Sequence, residues 1–465
     1  MHQRTRRQVH LAVVALVLTA AITLVSSAGD PHVLVVSIDG LMASSYDAAS
    51  PATIPALRRL AAEGAFADGV IGVLPSVTYP SHTTLITGVT PSVHGIVDNH
   101  IFDPEGRSGG AFYWYGRDIR VPTLLDRVHQ QGGRTAAISW PVTVGVDIDY
   151  HVPEFWRSAG AGNRQQRRAF LRTVSTPHLI EAVEHTSGVP IGEPQSDENR
   201  FDMAAFVLKT YQPQLTLLHL TDVDSAQHTF GPGSPEALEA LARVDGYVGR
   251  LADIVRASPL ASQTYIVVVS DHGFLPIARQ LNPNELFKRD GLLSVDAQGR
   301  INNWRAVFHS SGGSGFVYLH DAGDSSLRAR VRALLDTLHA DPANGVDAVW
   351  TAEDIARLGG PSGAAFGVNM RAGFYTGNGH RTLLTSTLRD DDTGGMRGGH
   401  GFAPTRREIQ SAFIATGPSL RGRGDLGTIR MTQIAPTLAR WLGVTLSPLA
   451  DTPIAALTSE VVVVP

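Results

Sequence analysis

The chain has 465 residues, of which 43% are hydrophobic and 18% are charged, a balance typical of a globular enzyme with a large core. Its formal net charge is −4 and no basic block occurs beyond the first seven residues, which argues against nucleic-acid polymers and anionic membranes as electrostatic partners. Cysteine is absent, so disulfides and thiolate metal sites are excluded.

Residues 1–28 have the features of a bacterial export signal. Three arginines precede an apolar run from Leu11 to Val25, and small residues follow at 26–28. This run is shorter than the ~20 residues that span a bilayer, so we predict a signal peptide and a periplasmic or secreted protein. An uncleaved signal anchor is the alternative, and it would be the only contact with a membrane.

Strand-like and helical stretches then alternate along the chain. In chain order the predicted elements are a strand at 33–38, a helix at 54–63, a strand at 135–140, a helix at 234–257, and strands at 264–270 and 411–416 before a helix at 432–442. This alternation predicts an α/β fold, a three-layer α/β/α sandwich with a mostly parallel central sheet. We expect one domain over 29–465, with insertions around 141–200 and 276–398, the second forming a smaller antiparallel subdomain.

Acidic and imidazole side chains follow several of the strand-like runs. They are Asp39, Asp224, His228, Asp271 and His272, with His400 added by the glycine-rich segment GGHGF. Ligands of open α/β sheets bind outside the carboxyl ends of the strands, so the sheet would bring these groups together. Any one of them could be an ordinary turn residue, but three carboxylates and three imidazoles together suit two zinc-like ions.

The segment PSVTYPSHTTLITG offers a nucleophile for such a centre. Thr78 lies in a proline-flanked turn, and Pro80 suits the first turn of a following helix. Two ions beside a hydroxyl would activate it for attack on phosphorus. Ser76 and Ser81 are rival nucleophiles, which position alone does not exclude, and His82 is expected to have a structural role.

The motifs IDG, SVTYPSHTTLITG, HGIVDN, DVDSAQH, SDHG and GGHGF occur in an order that resembles the nucleotide pyrophosphatase/phosphodiesterase family of the alkaline phosphatase superfamily. The resemblance extends from about residue 33 to 444. It implies two zinc ions, one bound by Asp224, His228 and His400, and the other by Asp39, Asp271, His272 and the Thr78 oxygen. It further implies that Asn99 binds a phosphate oxygen and that Tyr79 stacks on a nucleobase, although a tyrosine packed in the core is an equal alternative.

The resemblance implies a zinc-dependent phosphodiesterase or nucleotide pyrophosphatase that acts on a small molecule through a phospho-threonine intermediate. A phosphomonoesterase or phosphonate hydrolase of the same superfamily is the nearest alternative. No arginine or lysine occurs from residue 61 to 106, which favours a singly charged diester. A sulfatase is disfavoured because its Cys/Ser-x-Pro-x-Arg pattern is missing, and a non-catalytic metal-binding relative would be expected to have lost ligands.

Overall fold

The structure is a computed structural model that describes residues 30–155, 163–380, 384–388 and 395–458. The predicted signal at 1–28 lies outside the described residues. Among the helices that are described, none combines the length and the apolar character that crossing a membrane requires.

Twenty strands are assigned within the described part of the chain, and most of the longest are continuous apolar runs. They are β1 (His32–Ile38), β2 (Ala65–Phe66), β3 (Gly69–Ile71), β4 (Thr135–Ile138), β5 (Tyr150–Val152), β6 (Leu215–Leu220), β7 (Thr264–Val269), β8 (Leu275–Leu281), β9 (Leu293–Val295), β10 (Ile301–Trp304), β11 (Ala306–Ser310), β12 (Ser314–Leu319), β13 (Val346–Thr351), β14 (Phe366–Met370), β15 (Gly373–Thr376), β16 (Thr385–Thr387), β17 (Gly398–Gly399), β18 (Phe413–Thr416), β19 (Gly424–Asp425) and β20 (Thr428–Arg430).

Helices separate many of these strands, and proline or glycine marks several helix ends. The described α-helices are α1 (Pro55–Glu63), α2 (Thr78–Thr87), α3 (Pro91–His94), α4 (Leu124–Gln130), α5 (Arg164–Val174), α6 (Leu179–Ser187), α7 (Asp197–Thr210), α8 (Asp222–Phe230), α9 (Pro235–Arg256), α10 (Pro283–Arg289), α11 (Ser325–Ala340), α12 (Ala352–Arg357), α13 (Ile434–Leu442) and α14 (Ala455–Thr458). For example, Ser234 caps α9 through the backbone N–H of Ala237, and Gly443 ends α13 with φ +69°.

The central sheet has eight strands in the order β19-β2-β18-β7-β1-β6-β4-β5. The five strands from β7 to β5 run parallel, whereas β18 is antiparallel to β7. Buried strand residues pack against α1, α7 and α9 on one face and against α2, α4 and α13 on the other. This arrangement confirms the predicted α/β/α sandwich with a mostly parallel sheet.

The region between β7 and β18 builds a second hydrophobic core. Its main sheet is antiparallel in the order β11-β12-β14-β13, and α11 packs on it. A separate strand, β8, pairs with β15, β16 and β17. Because β17 directly precedes His400, this pairing returns the chain to the carboxyl end of the central sheet.

Three predicted strands are longer than the observed ones, and the one expected at 264–270 differs only by ending at Val269. The strand expected at 135–140 ends at Ile138, because Ser139 has φ +54° and turns the chain. The strand expected at 411–416 begins at Phe413. In the region 141–200, β5 extends the central sheet at its edge and is followed by α5 and α6.

Candidate active site

The six metal-binding candidates come together at the carboxyl end of the central sheet. Asp39 follows β1, and Asp271 and His272 follow β7, its parallel neighbour. Asp224 and His228 are one turn apart on α8, which begins just after β6. The sixth, His400, follows β17. The parallel register of β1, β6 and β7 therefore places most of the site.

One group consists of Asp224, His228 and His400, whose nearest ligand atoms all lie within 4.8 Å of one another. Asp224 Oδ1 is 3.4 Å from His228 Nε2 and 3.9 Å from His400 Nε2. The other ring nitrogens contact backbone carbonyls, at 3.0 Å for His228 with Gly398 and at 3.3 Å for His400 with Ser76. These contacts hold both rings so that each Nε2 faces Asp224 Oδ1. In metal-binding histidines, the ring nitrogen that does not bind the metal usually makes a hydrogen bond of this kind.

The second group consists of Asp39, Asp271 and His272, all buried. His272 Nε2 is 3.1 Å from Asp271 Oδ2 and 3.4 Å from Asp39 Oδ1. The opposite oxygen of Asp271 accepts hydrogen bonds from the backbone N–H groups of Gly40 and His272. The two groups are close together, since the His272 and His400 rings stack at 3.6 Å.

The hydrogen bonding of these carboxylates fits metal binding. Asp39 Oδ1, Asp224 Oδ1 and Asp271 Oδ2 are buried and accept no hydrogen bond within the described part of the chain. A buried carboxylate oxygen without a partner is costly, and a cation removes that cost. Each of the three oxygens also lies next to an imidazole Nε2, so the donors are mixed oxygen and nitrogen, as zinc prefers.

The electrostatics support the same interpretation. Burial raises the pKa of Asp39 well above its usual range, and the Asp224 and Asp271 carboxylates raise it further. Burial lowers the pKa of His272 and of His400 well below the usual value, so both imidazoles stay neutral, the form that binds metals. A divalent cation would restore the charged form of the Asp39 carboxylate.

Thr78 is the first residue of α2 and lies beside the second group. Its Oγ1 is 3.5 Å from His272 Nε2, and it lines a cavity of about 170 Å³ together with residues of both groups. The rival hydroxyls are placed differently: Ser76 Oγ donates to the Phe402 carbonyl, and Ser81 is fully buried. Neither serine lines this cavity.

Asn99 and Tyr79 also line the cavity, but their side chains differ in what they expose. The Asn99 amide oxygen accepts the backbone N–H of Tyr79 at 2.8 Å, which leaves the NH₂ group to donate. The Tyr79 side chain is only 1% exposed, and the half-buried Phe112 packs against it at 5.5 Å. The aromatic ring that faces the cavity more openly is therefore that of Phe112.

Sequence reasoning missed two ionisable residues in the wall of the cavity, His219 and Glu154. His219 Nε2 is 3.1 Å from Asp39 Oδ2, and its Nδ1 is 2.8 Å from Glu154 Oε2. Burial lowers the pKa of His219, but Glu154 and Asp39 outweigh it and raise the value to about 10. The sequence feature that could have indicated His219 is its position inside the apolar run LTLLHL. A histidine in a buried strand needs a polar partner.

A larger groove of about 1010 Å³ lies elsewhere, between α6, α7 and α9. None of the candidate metal ligands lines it, and neither does Thr78. The small cavity at the sheet edge is the one that joins a hydroxyl to both groups of ligands. No arginine or lysine is found among the described residues that line it. These residues therefore do not supply the cationic side chain that would favour a doubly charged monoester.

Comparison with known proteins agrees with this architecture. Residues 33–398 match the family described as type I phosphodiesterase / nucleotide pyrophosphatase. The chain belongs to this family. The match includes Asp39, Thr78, Asp224 and His272, and it ends just before His400.

Similar proteins include human ectonucleotide pyrophosphatase/phosphodiesterase family member 1, which is 27% identical over 252 residues. That match covers 52% of this chain but only 23% of the human protein. Human ectonucleotide pyrophosphatase/phosphodiesterase 5 has a similar fold, with a TM-score of 0.65 and 19% identity over 92% of this chain and 98% of the solved one. An inactive variant of the murine protein 5, solved in complex with AMP, gives a TM-score of 0.64 at 20% identity, over 92% and 99% of the two chains.

Proposed function

We propose that the protein is a zinc-dependent phosphodiesterase or nucleotide pyrophosphatase that forms a phospho-threonine at Thr78. The observation that carries the proposal is the position of the Thr78 hydroxyl in one cavity with members of both groups of ligands, whose three carboxylates each keep one buried oxygen without a hydrogen bond from the described residues. Membership of the family supports the reaction class. A hydroxyl, two cation sites and a small open cavity are the components that phosphoryl transfer requires.

Two zinc ions fit the donors better than magnesium does, because three of the six aspartate and histidine ligands are imidazoles. Asp224, His228 and His400 would hold one ion, and Asp39, Asp271 and His272 with the Thr78 oxygen would hold the other. When bound, such ions polarise the phosphoryl oxygens and lower the pKa of a coordinated hydroxyl.

Thr78 supplies the oxygen that attacks phosphorus while the ester or pyrophosphate oxygen leaves with the bond electrons. The oxygen of a water molecule then attacks phosphorus, and the bond to Thr78 breaks and returns its hydroxyl. The position of Thr78 at the start of α2 supports this role, because a helix N-terminus favours a phosphate. The Asn99 NH₂ group, oriented by the hydrogen bond to Tyr79, would donate to a non-bridging oxygen.

The substrate in this proposal is a small diester or a nucleotide. The complex of the murine relative with AMP supports nucleotides, and the lack of a lining cation among the described residues supports a singly charged diester. Tyr79 would contribute to binding mainly by supporting Phe112, since its own ring is covered. We further propose that the protein acts in the periplasm or outside the cell, on the evidence of the apolar run that begins at Leu11.

The test compares an aryl phosphate diester with the matching monoester on one zinc-loaded preparation. We expect a higher kcat/KM for the diester, and a nucleoside monophosphate as product from a nucleoside triphosphate. Thr78→Ala should lower turnover at least about 10³-fold with zinc retained. A preference for the monoester would overturn the diester assignment. Activity of Thr78→Ala within about tenfold of wild type would shift the nucleophile to Ser76 or Ser81.

A further inference from the structure

The Glu154–His219 pair contacts the candidate metal centre without belonging to either group of ligands. Both side chains are buried, with exposed fractions of 4% for Glu154 and 0% for His219. The two ring nitrogens of His219 face oxygens on opposite sides: Nε2 faces Asp39 Oδ2 at 3.1 Å, and Nδ1 faces Glu154 Oε2 at 2.8 Å. A carbonyl, that of Ser139, also lies 3.2 Å from Nδ1.

These residues form a row across the carboxyl end of the central sheet. Asp39 follows β1, His219 is in the neighbouring β6, Ser139 follows β4 and Glu154 follows β5. The strands are adjacent in the order β1-β6-β4-β5, so the row connects the metal-binding edge to the end of the sheet. Glu154, which belongs to the insertion after β4, is thereby connected to Asp39 through the imidazole ring of His219.

The geometry at Asp39 shows what this row does. Its Oδ2 is held by His219, whereas Oδ1 has no hydrogen bond and lies 3.4 Å from His272 Nε2. The His219 ring cannot easily turn, because His82 packs against it at 4.2 Å and both nitrogens are engaged. A carboxylate fixed at one oxygen presents the other in a defined direction.

We propose that His219 and Glu154 are positioning residues for the ion held by Asp39, Asp271 and His272, an inference that rests on the proposed zinc centre. Glu154 orients the imidazole, and the imidazole orients the Asp39 carboxylate. His219 hydrogen-bonds Asp39, which is a proposed ligand of this ion and not of the other, so this ion should depend on the row more strongly. Outer hydrogen-bond partners of this kind typically contribute about 10–100-fold to metal affinity.

The experiment measures zinc release from the full-length protein loaded with two equivalents of zinc, using excess chelator and a zinc-sensitive dye. His219→Phe keeps a ring against His82 but removes both hydrogen bonds. We expect one equivalent to leave about 10–100-fold faster than in wild type and the other at the wild-type rate. Glu154→Leu should show the same selective effect. Glu154→Gln still offers an oxygen to His219 Nδ1, so its zinc release should be closer to the wild-type rate than that of Glu154→Leu.

His151→Phe is the matched control. His151 is also a buried histidine with a side-chain hydrogen bond, 3.0 Å from Nε2 to Thr143 Oγ1, but it contacts no proposed ligand. Its loss should change the thermal midpoint without changing zinc release. If His219→Phe does not fold, His219→Gln and Glu154→Leu decide the question by the same release assay.

Two outcomes would overturn the inference: release of both equivalents at the wild-type rate from the His219 and Glu154 variants, or equal acceleration of both. The proposed function fails in a different way, through wild-type protein that binds no zinc or through Thr78→Ala that keeps its turnover. Combining Glu154→Leu with His219→Phe should add little to either single change, because both act through Asp39.

Discussion

Two sets of buried carboxylates lie near the same edge of the central sheet, and they are satisfied in opposite ways. Asp197 is fully buried, and its oxygens accept from Arg200 at 2.7 Å and from the backbone N–H groups of Thr221 and Asp222 at 2.8 and 3.0 Å. Asp39 and Asp271 each keep one oxygen without a hydrogen bond. Donors of the protein satisfy the oxygens of Asp197, and two of these donors are backbone N–H groups at the start of α8. The oxygens of Asp39 and Asp271 that lack a hydrogen bond require an added cation instead.

Burial alone therefore does not distinguish a ligand from a scaffold residue. The difference lies in whether every carboxylate oxygen accepts a hydrogen bond. In Asp271 one oxygen, Oδ2, accepts none from the described residues and lies 3.1 Å from the Nε2 of His272, the other candidate ligand. Substitutions at Asp271 and Asp197 should accordingly affect different properties of the molecule.

Asp271→Ala should have the largest effect on function. We expect turnover to fall at least about 10³-fold, because a ligand beside the nucleophile is lost. The protein should hold one zinc equivalent instead of two, as measured by elemental analysis after purification without chelators. The free energy of unfolding in chelator should change little, since the variant removes one of several carboxylates that repel each other. Two zinc equivalents in this variant would contradict the ligand assignment.

Asp197→Ala should have the opposite profile. It leaves the buried Arg200 guanidinium without its carboxylate, and breaking a buried ion pair costs about 3–5 kcal/mol of unfolding free energy. Denaturant unfolding measures this loss. Zinc content should remain at two equivalents, and loss of an equivalent would show that α8 and the metal centre are not separable.

Removing zinc from the wild type tests the same difference without a mutation. At free zinc of about 100 times the dissociation constant, each bound ion stabilises the folded state by about 2.7 kcal/mol. Thermal unfolding with and without chelator should show this shift in wild type and a smaller one in Asp271→Ala. Equal shifts in the two proteins would mean that zinc binds elsewhere.

We expect the smallest effect, a pH-dependent change in stability, at the surface ion pair between Asp451 and Arg430. Burial raises the pKa of Asp451, but hydrogen bonds from Arg430 and Thr432 outweigh it and lower the value to about 2, below the ordinary 3.8. Its stabilisation is thus present above about pH 4 and lost as the pH falls towards 2. Asp451→Asn should lower the thermal midpoint at pH 6, and the difference from wild type should shrink at pH 3.

The sequence allowed the fold class to be predicted, because parallel strands buried on both faces are continuous apolar runs such as those at Val33 and Tyr265. The same pattern selected five of the six ligand candidates, since polar residues that follow such strands converge by topology, and the glycine-rich segment GGHGF added His400. It did not select Glu154, whose partner His219 is 65 positions away. The covering of Tyr79 by Phe112 depends on a loop conformation that no periodicity encodes.

The candidate ligands are spread from Asp39 to His400, across most of the folded chain. The complete centre therefore exists only when β1, β6 and β7 are paired and β17 is docked on β8. A cation bound there would link the first strand of the sheet to the end of the inserted region. Its release would remove that link between the central sheet and the inserted region.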